Sequence, residues 1–387
     1  MFDLLKKSPP LVVGLGISGQ AVARFLSKNQ IPFYSCDTRQ DLFIEKFPYE
    51  LDRFLGIDIA PNLGEISLAI LSPGLPVDSG LVSSIQAPKI SELEFALSFF
   101  KAKKIGVTGT LGKSTTVSLI AHILNQSGFK AKAGGNLGES FLDSTNESFD
   151  YLIIECSSYQ LESFSGEKIF DGAVFLNLSS NHLERHKTIE KYLDCKLNLF
   201  RALKNDGFAV IPTGDPWDIK GLLRGQKVFE AEDSFAFRTA EILGCTDINM
   251  KVKSFKGLPF RFQIVSEDPL IINDSKSTTV LSTRYAILNA KNYNKDIILL
   301  IGGREKLGSD WSVLPKVKEV IRFGELVGSV GKLKDGVIRA KELYSKESMI
   351  LFSPGAASFD EFSSFEDRGR RFNSVVDELF KKASTDK

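Results

Sequence analysis

Apolar runs of strand length alternate with helical stretches along most of this 387-residue chain, the rhythm of parallel sheets covered by helices. The pattern predicts an α/β protein. Leu11–Val13 reads as a strand, residues 14–28 as a glycine loop running into a helix, and 32–36 as a second strand, which together make a βαβ unit. Ser91-Glu92-Leu93-Glu94 reads as a capping box opening a helix that the periodicity carries to Lys101. A second unit starts near residue 102, with a strand over 104–108, another glycine loop and an apolar helix over 116–124 closed by Gly128. Further strands are expected at Tyr151–Glu155, 172–177 and 208–211, with a helix over 188–204. Between Gly225 and Gly257 charges and small residues interrupt the periodicity, so a boundary is placed near 257. Beyond it Leu270–Asn273, 296–301 and 348–352 read as strands, with helices between them and at the C-terminal end. The expected division is 1–95, 96–256 and 257–387.

Composition narrows what such a chain does. Hydrophobic residues make up 43% and charged residues 25%, the ordinary globular balance, so the chain is expected to fold throughout. Lys and Arg number 49 against 48 Asp and Glu, and a net charge of +1 lacks the field of a protein built to grip nucleic acid or anionic lipid. Small polar or phosphorylated ligands stay open. Cys36, Cys156, Cys195 and Cys245 form neither a CxxC metal pair nor a disulfide framework, which fits reduced thiols in cytosol. No apolar stretch approaches the roughly 20 residues of a membrane span, and the opening residues lack a secretory apolar core. A soluble cytoplasmic protein is expected, with no nucleic acid and no membrane insertion.

Two glycine loops carry the chemistry. Gly14-x-Gly16-x-x-Gly19 follows a strand and opens a helix, and Asp37 ends the next strand. Glycines let backbone approach a diphosphate, the helix start supplies unpaired amides, and an acid there can accept from a sugar hydroxyl. That spacing suits a nicotinamide cofactor, a nucleotide sugar, or simply a tight strand-to-helix turn. The second loop, Gly109-Thr110-Leu111-Gly112-Lys113-Ser114-Thr115, is a P-loop variant with Val107 where the usual spacing has glycine. Its amides can cradle a β-phosphate, Lys113 can neutralise β and γ oxygens, and Ser114 can bind Mg²⁺. Glu155, ending a strand, is placed for a second Mg²⁺ contact.

Among the histidines, His122 falls inside the helix after the P-loop and reads as an ordinary packed or surface residue, whereas His182 lies just past a strand in a loop where α/β sheets collect ligand-binding groups. Lys196 occupies the middle of the apolar stripe Ile189, Tyr192, Leu193, Leu199, Phe200 and Leu203. Two readings follow. Either the ammonium snorkels at the stripe's edge, or it is desolvated, loses its proton and becomes reactive, for instance toward CO₂ to give a carbamate.

Taken together these segments resemble the Mur ligase family, which joins amino acids to the peptide of the bacterial cell-wall precursor. The resemblance covers nearly the whole chain. The 108–115 segment is similar to the family's ATP loop, Gly134-Gly135-Asn136-Leu137-Gly138 to its glycine and asparagine turn, and 155–162 and 177–186 to its metal segments. The family's fold implies a Rossmann-like N-terminal domain, a central P-loop ATPase-like domain and a C-terminal Rossmann-like α/β domain. By the resemblance, Ile17, Ser18, Asp37, Thr38, Arg39 and Gly74 form a uridine-nucleotide site, and Gly109, Thr110, Gly112, Lys113, Ser114, Thr115 and Asn136 hold ATP. Ser114, Glu155, His182 and a carbamylated Lys196 arrange two Mg²⁺ ions, while Arg261, Asp274 and Lys276 face phosphates and reaction centre. Thr278, Lys306, Ser358 and Phe365 hold D-glutamate.

The implied activity is ATP-dependent addition of D-glutamate to UDP-N-acetylmuramoyl-L-alanine through an acyl phosphate, by a monomer. Three other readings compete: a nicotinamide oxidoreductase built on Gly14 to Gly19, a non-catalytic relative that binds the nucleotide sugar, and another ligase of the same family. The first leaves the P-loop and Lys196 without a role.

Overall fold

The computed structural model describes residues 1–138, 140–306 and 308–381, and is an α/β protein with three sheets. The chain divides into two compact units, Met1–Phe255 and Lys256–Lys387. The first unit holds two parallel sheets. One is built from β1 (Leu11–Val13), β2 (Phe33–Asp37), β3 (Glu50–Leu55), β4 (Ala69–Leu71) and β5 (Lys89–Ser91) in the order β3-β2-β1-β4-β5. The strand order reverses between β1 and β4, which opens a crevice beyond their C-terminal ends. The other contains β6 (Lys103–Thr108), β7 (Ala131–Gly135), β8 (Tyr151–Glu155), β9 (Phe170–Phe175), β10 (Leu203–Pro212) and β11 (Lys227–Ala231), ordered β11-β10-β9-β6-β8-β7. Central β6 carries the P-loop from its end, flanked by β8 with Glu155 and by β9.

The second unit has one sheet, from β12 (Gln263–Glu267), β13 (Leu270–Asn273), β14 (Asp296–Gly302), β15 (Glu319–Phe323) and β16 (Ser348–Gly355), in the order β12-β13-β16-β14-β15. Only β12 runs antiparallel, pairing β13 as a hairpin. Buried aliphatic and aromatic side chains fill both faces: Ile271, Leu300 and Phe352 on one, Ile272, Leu299 and Leu351 on the other. Strands so covered lose alternation and read as continuous apolar runs.

Tyr151–Glu155 and Leu270–Asn273 form where the pattern puts them, and the expected capping box is present: Ser91 Oγ accepts from Glu94 N at 3.1 Å, and Glu94 Oε2 accepts from Ser91 N at 3.1 Å. Other boundaries differ. That helix stops at Leu97, because Phe100 and Ala102 turn inward to deliver the chain to β6 at Lys103. The helix expected over 188–204 ends at Arg201, and Leu203, expected on its stripe, instead begins β10. The interrupted stretch before 257 contains β11 and the helices Phe235–Ile242 and Ile248–Val252. β7 also escapes the pattern, since its sequence Ala-Lys-Ala-Gly-Gly offers no apolar run. Bulk is excluded there: a Cβ on Gly134 would sit 2.7 Å from the Phe141 ring, and one on Gly135, at φ +95°, 2.4 Å from Glu155 O. Among the described residues no helix is long and apolar enough to cross a membrane.

Glu92 opens the capped helix fully buried, with Ser140 Oγ donating at 3.3 Å. Burial pushes its carboxyl up to about 7, the serine bond offsetting only part of that. A folded-state value above the unfolded one means stability is fullest below the unfolded value and declines as pH rises through the folded one. Glu92→Gln should therefore leave urea stability nearly unchanged at about pH 4.5 and raise it by on the order of 3 kcal/mol at about pH 8. A variant no more stable than wild type at the higher pH would contradict this origin of the strain.

Candidate active site around the P-loop

The turn after β6 is shaped by backbone conformations that glycine tolerates. Gly109 has φ +147°, where a Cβ would sit 3.0 Å from Leu176 Cβ and 3.2 Å from Asn177 N, and Gly112 has φ +82° at the start of the Lys113–Gln126 helix. Asn177 braces the loop. Its Oδ1 accepts from Thr110 N at 3.2 Å and Leu111 N at 2.9 Å, while Nδ2 donates to Leu111 O at 3.1 Å. Thr110 Oγ1 then accepts from Ser179 N at 3.0 Å, tying the loop to the segment after β9. Sequence reasoning placed Asn177 in a metal segment; its role as a loop brace depends on β6 and β9 being neighbours.

Two lysines meet on this loop. Lys113 Nζ donates to Gly109 O and Thr110 O, both at 2.9 Å, and Lys196 Nζ donates to the same Gly109 O at 2.7 Å. Lys196 is 1% exposed, which removes the snorkelling reading. Burial, and then the neighbouring Lys113 charge, hold its ammonium well below the ordinary lysine range. Burial lowers Lys113 too, against the raising influence of Glu155. Tyr192 shields the pair: Lys196 Nζ lies 4.3 Å from its ring centre, and its hydroxyl donates to Thr110 Oγ1 at 3.4 Å. The apolar stripe had marked Tyr192 only as a packing residue.

Oxygen donors collect beside the lysines. Ser114 Oγ donates to Glu155 Oε2 at 2.6 Å, and Asn136 Nδ2 to Glu155 Oε1 at 3.2 Å. Serine hydroxyl and carboxylate are hard oxygen ligands suited to Mg²⁺. The P-loop thus joins two hydrogen-bonded sets, Gly109, Thr110, Lys113 and Lys196 in one and Ser114, Asn136 and Glu155 in the other, with Gly112 and Thr115 exposed at the helix start. His182 lies near this group: its Nδ1 is 3.0 Å from Tyr159 Oη, and its ring centre 6.2 Å from that of Tyr192. It adopts φ +55°, a left-handed conformation that holds the loop's turn. His122 behaves as a packing residue, its Nε2 contacting Lys251 O at 3.1 Å and Ser254 Oγ at 2.9 Å.

At the sheet of β1 to β5, Gly14 (φ +89°) is locked by Ser72 Oγ donating to its carbonyl at 2.7 Å, and a Cβ on Gly19 would lie 1.7 Å from that carbonyl. Asp37 is buried, which by itself raises its carboxyl, yet bonds from Arg39 and from Leu15 N, at 2.6 Å, hold it below the ordinary value. Both of its oxygens are engaged, Oδ1 by Arg39 N at 2.9 Å and Oδ2 by Leu15 N, so the acid first of all clamps the glycine loop. Ile17, Ser18, Thr38, Arg39 and Gly74 surround the switch between β1 and β4, with Ile17 89% exposed and Arg39 and Gly74 also exposed. Arg185, from the His182 loop, donates to Gly74 O at 3.1 Å and Leu75 O at 2.7 Å, bridging the two sheets' loops.

In the second unit, loops after β13, β14 and β16 gather at one end of the sheet. Arg368, fully buried, joins them by donating to Ser275 Oγ at 3.1 Å, Ser275 O at 2.9 Å and Ala356 O at 3.0 Å. It was not anticipated, since an arginine on an exposed-looking helix gives no signal of burial. Lys276 Nζ lies 4.1 Å and Arg261 5.8 Å from the Phe365 ring centre, so these three are together. Burial pushes Asp274 up to about 7 despite bonds from Phe262 N at 3.0 Å and Ser353 Oγ at 3.0 Å. Thr278 is half-buried, Ser358 buried and Lys306 exposed on the respective loops. A cavity of about 370 Å³ lined by Phe237, Glu241, Cys245 and Met250 includes none of these residues.

The chain matches the family models for the Mur ligase MurD-like N-terminal domain over residues 9–92 and the Mur ligase middle domain over 107–263. A UDP-N-acetylmuramoylalanine–D-glutamate ligase of Leptospira interrogans is 33% identical across 97% of this chain and 98% of its own length. Its counterpart in Geobacter sp. (strain M21) is 29% identical across 96% and 98%. Among solved structures, MurF ligase of Thermotoga maritima in complex with ADP has a TM-score of 0.61 at 18% identity, covering 99% of this chain and 100% of that one. UDP-N-acetylmuramate-alanine ligase MurC of the same organism has 0.55 at 16%, covering 98% and 100%. At those identities the two structures speak for the fold.

The Asn177 brace makes a direct prediction. Asn177→Ala should destabilise the first unit by about 1–3 kcal/mol, because Leu111 N loses its acceptor and Leu111 O its amide donor, while Thr110 N keeps the Asn177 backbone carbonyl at 3.0 Å. Hydrogen exchange at Leu111 should speed up selectively, whereas unchanged exchange there would show that the loop holds itself.

Proposed function

Because this chain belongs to the Mur ligase family, we propose that it is the ATP-dependent ligase that adds D-glutamate to UDP-N-acetylmuramoyl-L-alanine during peptidoglycan precursor synthesis, acting as a cytoplasmic monomer. The observation that carries this reading is the near full-length match to ligases of that name, at up to 33% identity, on a chain whose P-loop, Glu155 and buried Lys196 form one group. The N-terminal match at residues 9–92 favours the D-glutamate-adding member over its relatives. The division 1–95, 96–256 and 257–387 then corresponds to sites for the uridine substrate, ATP and the amino acid.

Forming an amide from a carboxylate in water is uphill, so the acid is first activated. The terminal phosphoryl group of ATP moves to the alanine carboxylate, breaking the γ-phosphorus to bridging-oxygen bond and releasing ADP. The neutral amine of D-glutamate attacks the acyl carbon, loses a proton, and inorganic phosphate departs. Lys113, now bound to its own loop's carbonyls, would turn to β and γ oxygens, with amides of Gly109, Thr110, Gly112 and Thr115 cradling the phosphates. Ser114 and Glu155 fit a Mg²⁺ ion by their donor chemistry, with His182 and Lys196 completing a two-ion set. Bound Mg²⁺ would neutralise developing phosphoryl charge. An ammonium cannot ligate a cation, so Lys196 joins only as a carbamate: the free amine attacks CO₂, a nitrogen proton leaves, and one negative charge shared between two oxygens results.

Asn136 would steady Glu155 and the γ-phosphate. In the second unit Arg261, Asp274 and Lys276 would serve the phosphates and acyl centre, and Thr278, Lys306, Ser358 and Phe365 the D-glutamate. Ile17, Ser18, Asp37, Thr38, Arg39 and Gly74 would hold the uridine nucleotide.

Phosphate release from ATP should require both UDP-N-acetylmuramoyl-L-alanine and D-glutamate, and Lys113→Ala should lower it by about a hundredfold or more. Tight nucleotide-sugar binding with ATP left intact would instead assign the chain to the non-catalytic reading.

A further inference from the structure

Against the Ile189–Arg201 helix, Glu162, His186 and Cys195 bring a carboxylate oxygen, a ring nitrogen and a sulfur within 4.8 Å of one another. The proposed ligase chemistry uses none of the three. We propose that they form a binding site for a thiophilic divalent transition-metal ion of the zinc class, separate from the Mg²⁺ site.

The spacing carries the argument. With metal–sulfur and metal–nitrogen bonds of about 2.3 and 2.05 Å at a tetrahedral angle, the two ligand atoms stand about 3.6 Å apart. His186 Nδ1 and Cys195 Sγ are 3.6 Å apart in the structure. The separation of the pair therefore already matches that of two ligands on one ion, and the carboxylate has to close in. Glu162 is half-buried and already oriented, since Arg185 donates to its Oε2 from Nε at 3.0 Å and from a terminal nitrogen at 2.6 Å, leaving Oε1 as the ligand.

The imidazole is oriented as well. His186 is 4% exposed, and its Nε2 lies 2.9 Å from Ser158 Oγ. When Nε2–H donates to that hydroxyl, Nδ1 presents its lone pair to the cluster, the outer bond that fixes a metal-binding histidine. Cys195 is part-exposed, which opens a route for the ion and for the thiol proton released to solvent as the sulfur–metal bond forms. Mixed sulfur, nitrogen and carboxylate donors select zinc-class ions over Mg²⁺. The Arg185 charge beside Glu162 limits affinity, and the fourth position is left to water.

Cobalt(II) added to the full-length protein, with excess Mg²⁺ to occupy hard oxygen ligands, tests this. Binding of a single equivalent with an intense thiolate-to-cobalt charge-transfer band, displaced by Zn²⁺, is expected. Cys195→Ala should abolish the band, and Glu162→Gln should keep it while weakening cobalt binding more than about tenfold. Because Cys195 is part-exposed, its alanine variant is expected to fold, as circular dichroism would verify; should it not, the band and affinity of Glu162→Gln decide. Cobalt bound without the band, a band that survives Cys195→Ala, or unchanged affinity in Glu162→Gln would overturn the proposal. The remaining explanation for the 3.6 Å contact would then be a thiol hydrogen bond to the imidazole.

Discussion

Two ammonium groups share one carbonyl. Lys113 and Lys196 both donate to Gly109 O, at 2.9 and 2.7 Å, inside a loop closed to water on the Lys196 side. Like charges a few ångströms apart cost on the order of 4 kcal/mol at an effective dielectric near 20, several times the net worth of about 1 kcal/mol for a hydrogen bond. The arrangement is therefore held by the surrounding fold and relieved by removing positive charge. Either a lysine gives up its proton, in keeping with the lowered values of both, or an anion enters. Both reliefs are ones the proposed function supplies: phosphates as the entering anion, or conversion of the buried amine to a carbamate.

The constraint is paid for by topology. β6 delivers the loop, β9 delivers Asn177 to brace it, β8 delivers Glu155, and the Ile189–Arg201 helix supplies Lys196 and Tyr192 from the side. Each functional group stands at the end of a rigid strand or on a packed helix, so its position follows from core packing. The same logic governs the second unit, where Arg368 spends its donors on loops after β13 and β16 and fixes the setting of Lys276 and Phe365.

Local chemistry was legible wherever spacing alone dictates it. The P-loop, Glu155 at its strand end, and Lys196 within an apolar stripe were all readable, because each depends on neighbours within a turn or a loop. What escaped depends on partners far away. β7 hides behind glycines that Phe141 and Glu155 O require; β3 is a half-exposed edge strand with mixed residues; Asn177 and Arg368 reveal their roles only when distant loops meet. Asp37 shows the same limit, since its clamp on Leu15 N is invisible until the glycine loop folds back over it.

The claim that most needs a direct test is that Lys196 answers its buried position by taking up CO₂. Carbon-13 NMR of the protein equilibrated with labelled bicarbonate measures this without reference to turnover. The account predicts a carbamate carbon resonance in wild type that is missing from Lys196→Arg. A wild-type spectrum with no such resonance, from protein that still ligates its substrates, would contradict it.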